Sequence, residues 1–423
     1  MKQYSVLEQL RNLSVWQDGR CRAALFTNQT GYDGCTGEYT LQWLRRSAQL
    51  VRVFVPEHGL FAELQDQVGL DSTEQYGQLA PEVQFVSLYG SQETSLYMQP
   101  EWLADVDILL VDIQDVGSRY YTFATSVSYI FDSLATHDRA PHVVVIERPN
   151  PAGAQVEGTI LTAEYQSFVG RPGLPHRHGL TLGELCRLYK QQAGAYKLEL
   201  SIIHAPEYER QPELLFPDLL ETGTRFNVRQ CWEIAPSPNM PTPFTPLVYS
   251  GQCLLEGTNL SEGRGTTRPF EIWGAPYLRQ SAAHFSPGNI PVKMSGARLR
   301  PLRFLPMFQK HAGQICFGFQ IHLTGEPYHS LAHTLKLLRW LRESHTDFAW
   351  LEGVYEFVSD RPAIEILAGD PVLLAYLDGR ESFRVVREKL EQAEHDWIQA
   401  ARELRVYHRN MSRVALDPAE DFG

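Results

Sequence analysis

The chain lacks most of the short motifs that announce an enzyme's chemistry. It has no GxxxxGK[ST] phosphate loop, no HExxH, no GxSxG and no kinase signature. Gly31, Gly34 and Gly37 stand in GxxGxxG spacing, not the GxGxxG turn that receives a dinucleotide, which argues against NAD. The six cysteines, at 21, 35, 186, 231, 253 and 316, form no CxxC pair and no metal-ligand spacing. They are too sparse for a disulfide scaffold, and all six read as structural, with Cys253 and Cys316 inside apolar runs. The only local histidine cluster, His176-Arg177-His178, has no acidic or thiol partner at zinc-site spacing. No metal and no cofactor are therefore expected. No apolar run is long enough to span a membrane, and Met1–Ser5 lacks the apolar core of a signal peptide. This predicts a cytoplasmic protein, or an exported one shown without its leader. Charged blocks, internal repeats and low-complexity tracts are also missing. With 38 basic and 50 acidic residues the net charge is −12, which disfavours nucleic acid as the main partner.

What the 423 residues do carry is a rhythm. Short apolar runs occur at 23–26, 51–55, 83–86, 108–111 and 143–146, and each ends in a polar or Gly-rich cluster. Helical spacing is seen at 2–16, 39–50, 120–134 (Phe123, Val127, Ile130, Leu134) and 181–193, the last with Thr181 and Glu184 as a capping box. A further strand is expected near 198–203. β-branched runs alternating with helices predict an α/β fold, a doubly wound parallel sheet over about 1–234. Residues 235–250 carry five prolines and read as an ordered loop or linker. Beyond it, strands are expected at 252–257, 291–298 and 315–323, and helices at 330–343 and 387–404. Residues 235–423 thus read as a smaller α+β domain.

In open α/β sheets ligands bind beyond the carboxyl ends of the strands, which is where the polar clusters fall. Pro56-Glu57-His58-Gly59 follows the second run. A carboxylate held there against apolar walls suits a general acid; the same position also suits a helix cap or a partner for arginine. Asp112 to Tyr121 packs two acids, an amide, an arginine and two tyrosines into ten residues, a binding rim or, more plainly, a cap for the next helix. Glu147-Arg148-Pro149-Asn150-Pro151, with Glu157 downstream, is a third cluster, and its Arg–carboxylate pair also fits a structural role. Glu256 to Thr266 is Gly-rich and exposes Arg264 between two glycines. That arrangement suits recognition of a carboxylate, as it suits a surface turn.

Ten segments, in order, resemble one family, the NamZ-type exo-β-N-acetylmuramidases. They are LFTNQTG (25–31), FVPEHGLF (54–61), SLYG (87–90), DIQDVGSRYYTFAT (112–125), ERPNP (147–151), VEG (156–158), RHGLTLGE (177–184), PSPNMP (236–241), CLLEGTNLSEGRG (253–265) and PFE (269–271). Residues 355–367 are also similar. Ser118 and Tyr120 vary the fourth segment, and the missing leader departs from commonly exported relatives. The resemblance implies a Rossmann-like domain, a smaller C-terminal domain and a cleft between them. It implies release of N-acetylmuramic acid from non-reducing ends of peptidoglycan fragments, with muramyl saccharides as partners. It places the catalytic glutamate at Glu57. The substrate-binding set it suggests is Asn28, His58, Gln114, Arg119, Tyr120, Arg148, Asn150, His178, Asn239, Glu256 and Arg264.

Glycosidic cleavage usually needs two carboxyl groups. Glu57 is expected to protonate the leaving oxygen, and Asp115, Glu262 and Glu157 are the candidates, in that order, for the second. The sugar's acetamido group is an alternative. The lactyl carboxylate of muramic acid calls for a cation, with Arg264 and Arg119 first and Arg148 and Arg177 behind them. A non-catalytic muropeptide or amino-sugar binding protein is the alternative function, and a nucleotide-dependent sugar-modifying enzyme is a more distant one. Oligomeric state is not legible.

Overall fold

The structure is a computed structural model that describes residues 6–34, 36–137, 139–220, 232–279, 292 and 294–416. Six parallel strands form its centre: β1 (Arg22–Thr27), β2 (Gln49–Val55), β3 (Gln84–Ser87), β4 (Ile108–Asp112), β5 (His142–Ile146) and β6 (Leu200–Ile203). Their order is β3-β2-β1-β4-β5-β6, the 3-2-1-4-5-6 order of a Rossmann sheet. The order reverses between β1 and β4, the switch point at which sheets of this kind generally bind their ligands.

The period of two along each strand explains the two faces. Ala24, Phe26, Leu109, Val111, Val143 and Val145 enter one core, and Ala23, Leu25, Ile108, Leu110, Val144 and Ile146 enter the other. Helix α1 (Thr40–Ser47) covers the second face, through Leu41, Trp43 and Leu44. Helices α2 (Thr122–Ala135) and α3 (Leu182–Gln192) cover the first, and that core runs on without a break into the C-terminal half. The expected capping box is present at α3: Glu184 N–H donates to Thr181 Oγ1 at 3.3 Å, and Thr181 N–H to Glu184 at 3.1 Å.

The alternation of strand and helix is incomplete. Between β2 and β3, and between β3 and β4, the chain forms loops with short 3-10 turns such as Glu74–Tyr76 and Glu93–Leu96. The N-terminal segment is likewise a 3-10 helix, Val6–Asn12, burying Leu7 and Leu10.

The C-terminal half has an antiparallel sheet of β7 (Ile272–Ala275), β8 (Ala297–Phe304) and β9 (Cys316–Leu323), ordered β7-β9-β8. Around it lie α4 (Thr245–Gln252), α5 (Ser330–Ser344), α6 (Ala363–Ala368), α7 (Pro371–Leu377) and α8 (Phe383–Ala400). Three expectations are corrected here. The proline-rich segment ends in helix α4, because Pro246 sits in the first turn, where no N–H is needed. The apolar run at 252–257 is helical, closing α4 and continuing as a 3-10 turn, Cys253–Gly257. It is buried on every side, and burial erases the periodicity that separates helix from strand. The strand expected at 291–298 lies at Ala297–Phe304, with 291 and 293 outside the described residues. Its exposed arginines and Pro301 disguise it, and they are tolerated because it is an edge strand.

Gly251 shows how closely α4 meets α5: a Cβ there would lie 2.3 Å from the backbone of Ser330. Of the cysteines, Cys21, Cys186, Cys253 and Cys316 are buried and unpaired, while Cys35 and Cys231 lie outside the described residues. Among the described residues no helix is long and apolar enough to cross a membrane.

Candidate active site

A cavity open to solvent lies beside the carboxyl end of β2. Its walls come from both halves of the chain: Glu57 and His58 after β2, Tyr120 to Thr122 at the start of α2, Asn239 in the proline-rich loop, Glu256 and Arg264 beyond α4, and Tyr355 with Glu356.

Glu57 is placed by its backbone. The strand ends at Val55, and His58 (φ 73°) and Gly59 (φ 86°) both turn into the left-handed region. A Cβ on Gly59 would come within 2.6 Å of Glu63 and 2.9 Å of the Tyr76 hydroxyl, so the turn requires glycine. Glu57 is 4% exposed. Its Oε2 accepts the Thr122 hydroxyl at 2.6 Å and its Oε1 accepts the Gln67 N–H at 3.2 Å. Thr122 is the first residue of α2, whose N-terminal dipole favours a negative charge there. His58 is held by its Nδ1 against the Leu64 carbonyl at 3.0 Å and edge-on to Phe123.

The opposite wall is a knot of charge. Arg264 reaches Glu256 at 2.9 Å, Glu262 at 3.0 Å and Asp66 at 3.4 Å, with Phe270 beneath its plane. Lys310 adds a contact to Glu262 at 3.0 Å. Burial pushes Glu262 up, but Lys310 and Arg264 outweigh it and hold the carboxyl below its usual range. Glu256 moves the other way: burial outweighs Arg264 and raises it. The Tyr355 hydroxyl donates to Glu256 at 2.6 Å.

Of the residues singled out in the sequence, Glu57, His58, Tyr120, Asn239, Glu256 and Arg264 meet at this cavity. Arg264 is there but encircled by three carboxylates, so its charge is already neutralised. Asp115 does not line the cavity: its Oδ2 accepts the Gly117 N–H at 2.7 Å and closes a turn, with His178 3.7 Å away. Glu262 faces an adjoining cavity beside Lys310. Glu157 is fully buried against Arg177 at 2.9 Å and His329 at 3.4 Å.

The remaining polar residues brace the fold. Arg119 is 2% exposed and donates to the carbonyls of Thr159, Leu367 and Ala368. Arg148 clasps Asp112 with two bonds, at 2.7 and 2.8 Å. Gln114 donates to the carbonyls of Asp115 and Pro149, and Asn150 to that of Leu180. The His178 Nδ1 accepts the Leu180 N–H. Asn28 donates to the Pro236 carbonyl at 3.0 Å and so ties the proline-rich loop, with Asn239, to the end of β1.

Sequence reasoning missed Asp66, Thr122, Tyr355 and Glu356. Thr122 lies inside a quoted motif and carried a signal. Glu356 lies in the 355–367 stretch, whose similarity was visible but whose acid was not singled out.

Two family models match the chain: "Exo-beta-N-acetylmuramidase NamZ, N-terminal" over residues 23–244 and "Exo-beta-N-acetylmuramidase NamZ, C-terminal" over 247–407. The peptidoglycan β-N-acetylmuramidase NamZ of Bacillus subtilis (strain 168) is 33% identical over 336 residues, covering 78% of this chain and 75% of that protein. Two crystal structures of DUF1343 family proteins from Bacteroides fragilis share the fold. One has a TM-score of 0.71 at 22% identity, over 95% of this chain and 98% of the other. The second has a TM-score of 0.65 at 25% identity, over 96% and 99%. The chain therefore belongs to the NamZ family of exo-β-N-acetylmuramidases.

Proposed function

We propose that this protein hydrolyses the β-glycosidic bond of a terminal N-acetylmuramic acid residue, releasing that sugar from the non-reducing ends of peptidoglycan fragments. The observation that carries the reading is a buried carboxylate, Glu57, at the carboxyl end of β2 of a Rossmann sheet, at the wall of a solvent-open cavity in a chain of this family.

Cleavage passes through an oxocarbenium-like transition state and draws on two carboxyl groups. Glu57 supplies one of them. Thr122 and the Gln67 N–H fix its orientation before substrate arrives, so no reorganisation is needed during reaction. Because Arg264 and Arg119 are engaged by the protein, recognition of the lactyl group rests on neutral donors. Among the described residues the buried Tyr120 hydroxyl has no hydrogen-bond partner and lines the cavity; Asn239 also lines it, its amide donating to Gln65 at 3.0 Å.

Digestion of a defined glycan chain tests the exo reading. Free N-acetylmuramic acid should appear first, with the remaining chain shortened from its non-reducing end. Internal fragments among the early products would contradict it.

A further inference from the structure

The cavity holds four carboxylic acids: Glu57, Asp66, Glu256 and Glu356. Arg264 pairs with Asp66 and Glu256. Among the described residues Glu57 and Glu356 have no cationic partner, and both are under 9% exposed. Buried carboxyls that share a cavity without a cation resist ionising together.

The backbone under Glu356 is itself unusual. Tyr355 and Val358 exchange both backbone hydrogen bonds, each at 2.9 Å, around a two-residue turn. Glu356 (φ 46°) and Phe357 (φ 70°) both occupy the left-handed region, the pattern of a type I′ turn, which normally takes Asn-Gly. Non-glycine residues are strained there, and such strain persists where the surroundings impose it. Here they do. The Tyr355 hydroxyl is bound to Glu256, and Phe357 packs edge-on against Tyr89 and Phe168. The side chain between these anchors is thereby aimed into the cavity, where the Tyr89 hydroxyl donates to Glu356 Oε2 at 3.0 Å.

We infer that Glu356 is the second catalytic carboxyl, the proton donor to the glycosidic oxygen, and that Glu57 is the base that takes the proton of the attacking water. The inference rests on the muramidase reading and deepens it. The proton's place agrees with the surroundings: burial first, then the charge of Glu57, push the Glu356 carboxyl well above its usual range, with Glu256 and Asp66 adding to the effect and Tyr89 opposing it. In the reaction the proton of Glu356 passes to the leaving oxygen as the C1–O bond breaks, and the bonding pair stays with that oxygen. A water oxygen brings the replacing pair to C1 and gives up one proton. That proton returns to the carboxyl pair, which ends with the single proton it began with.

The test compares leaving groups. From a 4-nitrophenyl muramide the nitrophenolate departs without protonation, whereas the sugar oxygen leaving a muramyl-glucosaminide disaccharide must be protonated. Wild type is first required to cleave both; failure on both would overturn the muramidase reading and the inference with it. Glu356→Gln is then expected to lose at least about 100-fold on the disaccharide and less than about 10-fold on the nitrophenyl substrate. Equal losses on both, as a merely structural residue would give, or an unaffected disaccharide, would overturn the role of Glu356 and leave the muramidase reading standing. Should Glu356→Gln fail to fold, Glu356→Asp keeps the carboxyl but withdraws it by one methylene, and the same split between substrates is expected.

Discussion

The Thr122 hydroxyl donates to Glu57 Oε2 at 2.6 Å, joining the first residue of α2 to the end of β2. The bond fixes the carboxylate's orientation. Thr122→Val keeps the shape and removes the donor. A hydrogen bond to a charged group contributes about 1.5–3 kcal/mol, so kcat should fall about 10- to 100-fold with KM little changed. Steady-state kinetics on the aryl muramide measures this. A change confined to KM would contradict it.

Arg264 stands at the cavity wall, but its charge is not open. Its place between two glycines suggested an open guanidinium, and the structure brings it to the cavity inside a ring of acids. Removing it leaves Glu262 with Lys310 alone and takes the cation from Asp66 and Glu256. Breaking a buried ion pair in this way costs about 3–5 kcal/mol. Arg264→Ala is expected to lose that much stability in denaturant unfolding, whereas Arg264→Lys loses less. An Arg264→Ala protein as stable as wild type would restore the arginine as a free ligand for the lactyl carboxylate.

Arg119 was also expected to bind substrate, and its guanidinium instead ties three carbonyls around α2 and α6. Arg119→Lys cannot serve them all, and each unsatisfied buried group costs about 1–3 kcal/mol. The expected result is a lowered Tm with an unchanged KM. A raised KM at unchanged Tm would contradict it.

A pH effect on stability arises away from the cavity. Glu147 lies beneath the N-terminus of α3, where burial and then the charge of Glu184 push its carboxyl up to about 8. An unfolded glutamate titrates near about 4.3. Between these values the folded chain holds a proton that the unfolded chain has released, so stability is whole at the acid end and is lost as pH rises toward about 8. His329 acts in the same direction. Burial pulls it down, but Glu157 and Glu394 together hold it above its usual value. Glu147→Gln should flatten, but not abolish, the decline of Tm between about pH 5 and 8. Thermal melts across that range check the slope, and an unaltered slope would contradict the assignment.

The parallel sheet was legible because its strands are β-branched runs buried on both faces, and α3 because Thr181 and Glu184 cap it visibly. Pro56-Glu57-His58-Gly59 was legible because a proline, an acid and a glycine stand together after such a run. Helix α4 was not, since its prolines read as a linker and its burial hides a helical period. Glu356 was not, because its importance comes from a two-residue turn packed on Tyr89 and Phe168, contacts made by segments far apart in the chain. Asp115 and Glu262 were attractive as acids in polar, Gly-containing clusters. Whether such an acid is free or already bound by an arginine or a backbone N–H is decided only by the fold.

The most direct test is chromophore release from 4-nitrophenyl β-N-acetylmuramide by wild type and Glu57→Gln, beside the matching glucosaminide. Cleavage of the muramide alone by wild type, lost in Glu57→Gln, is the expected result. Undiminished cleavage by Glu57→Gln, or a preference for the glucosaminide, would contradict it.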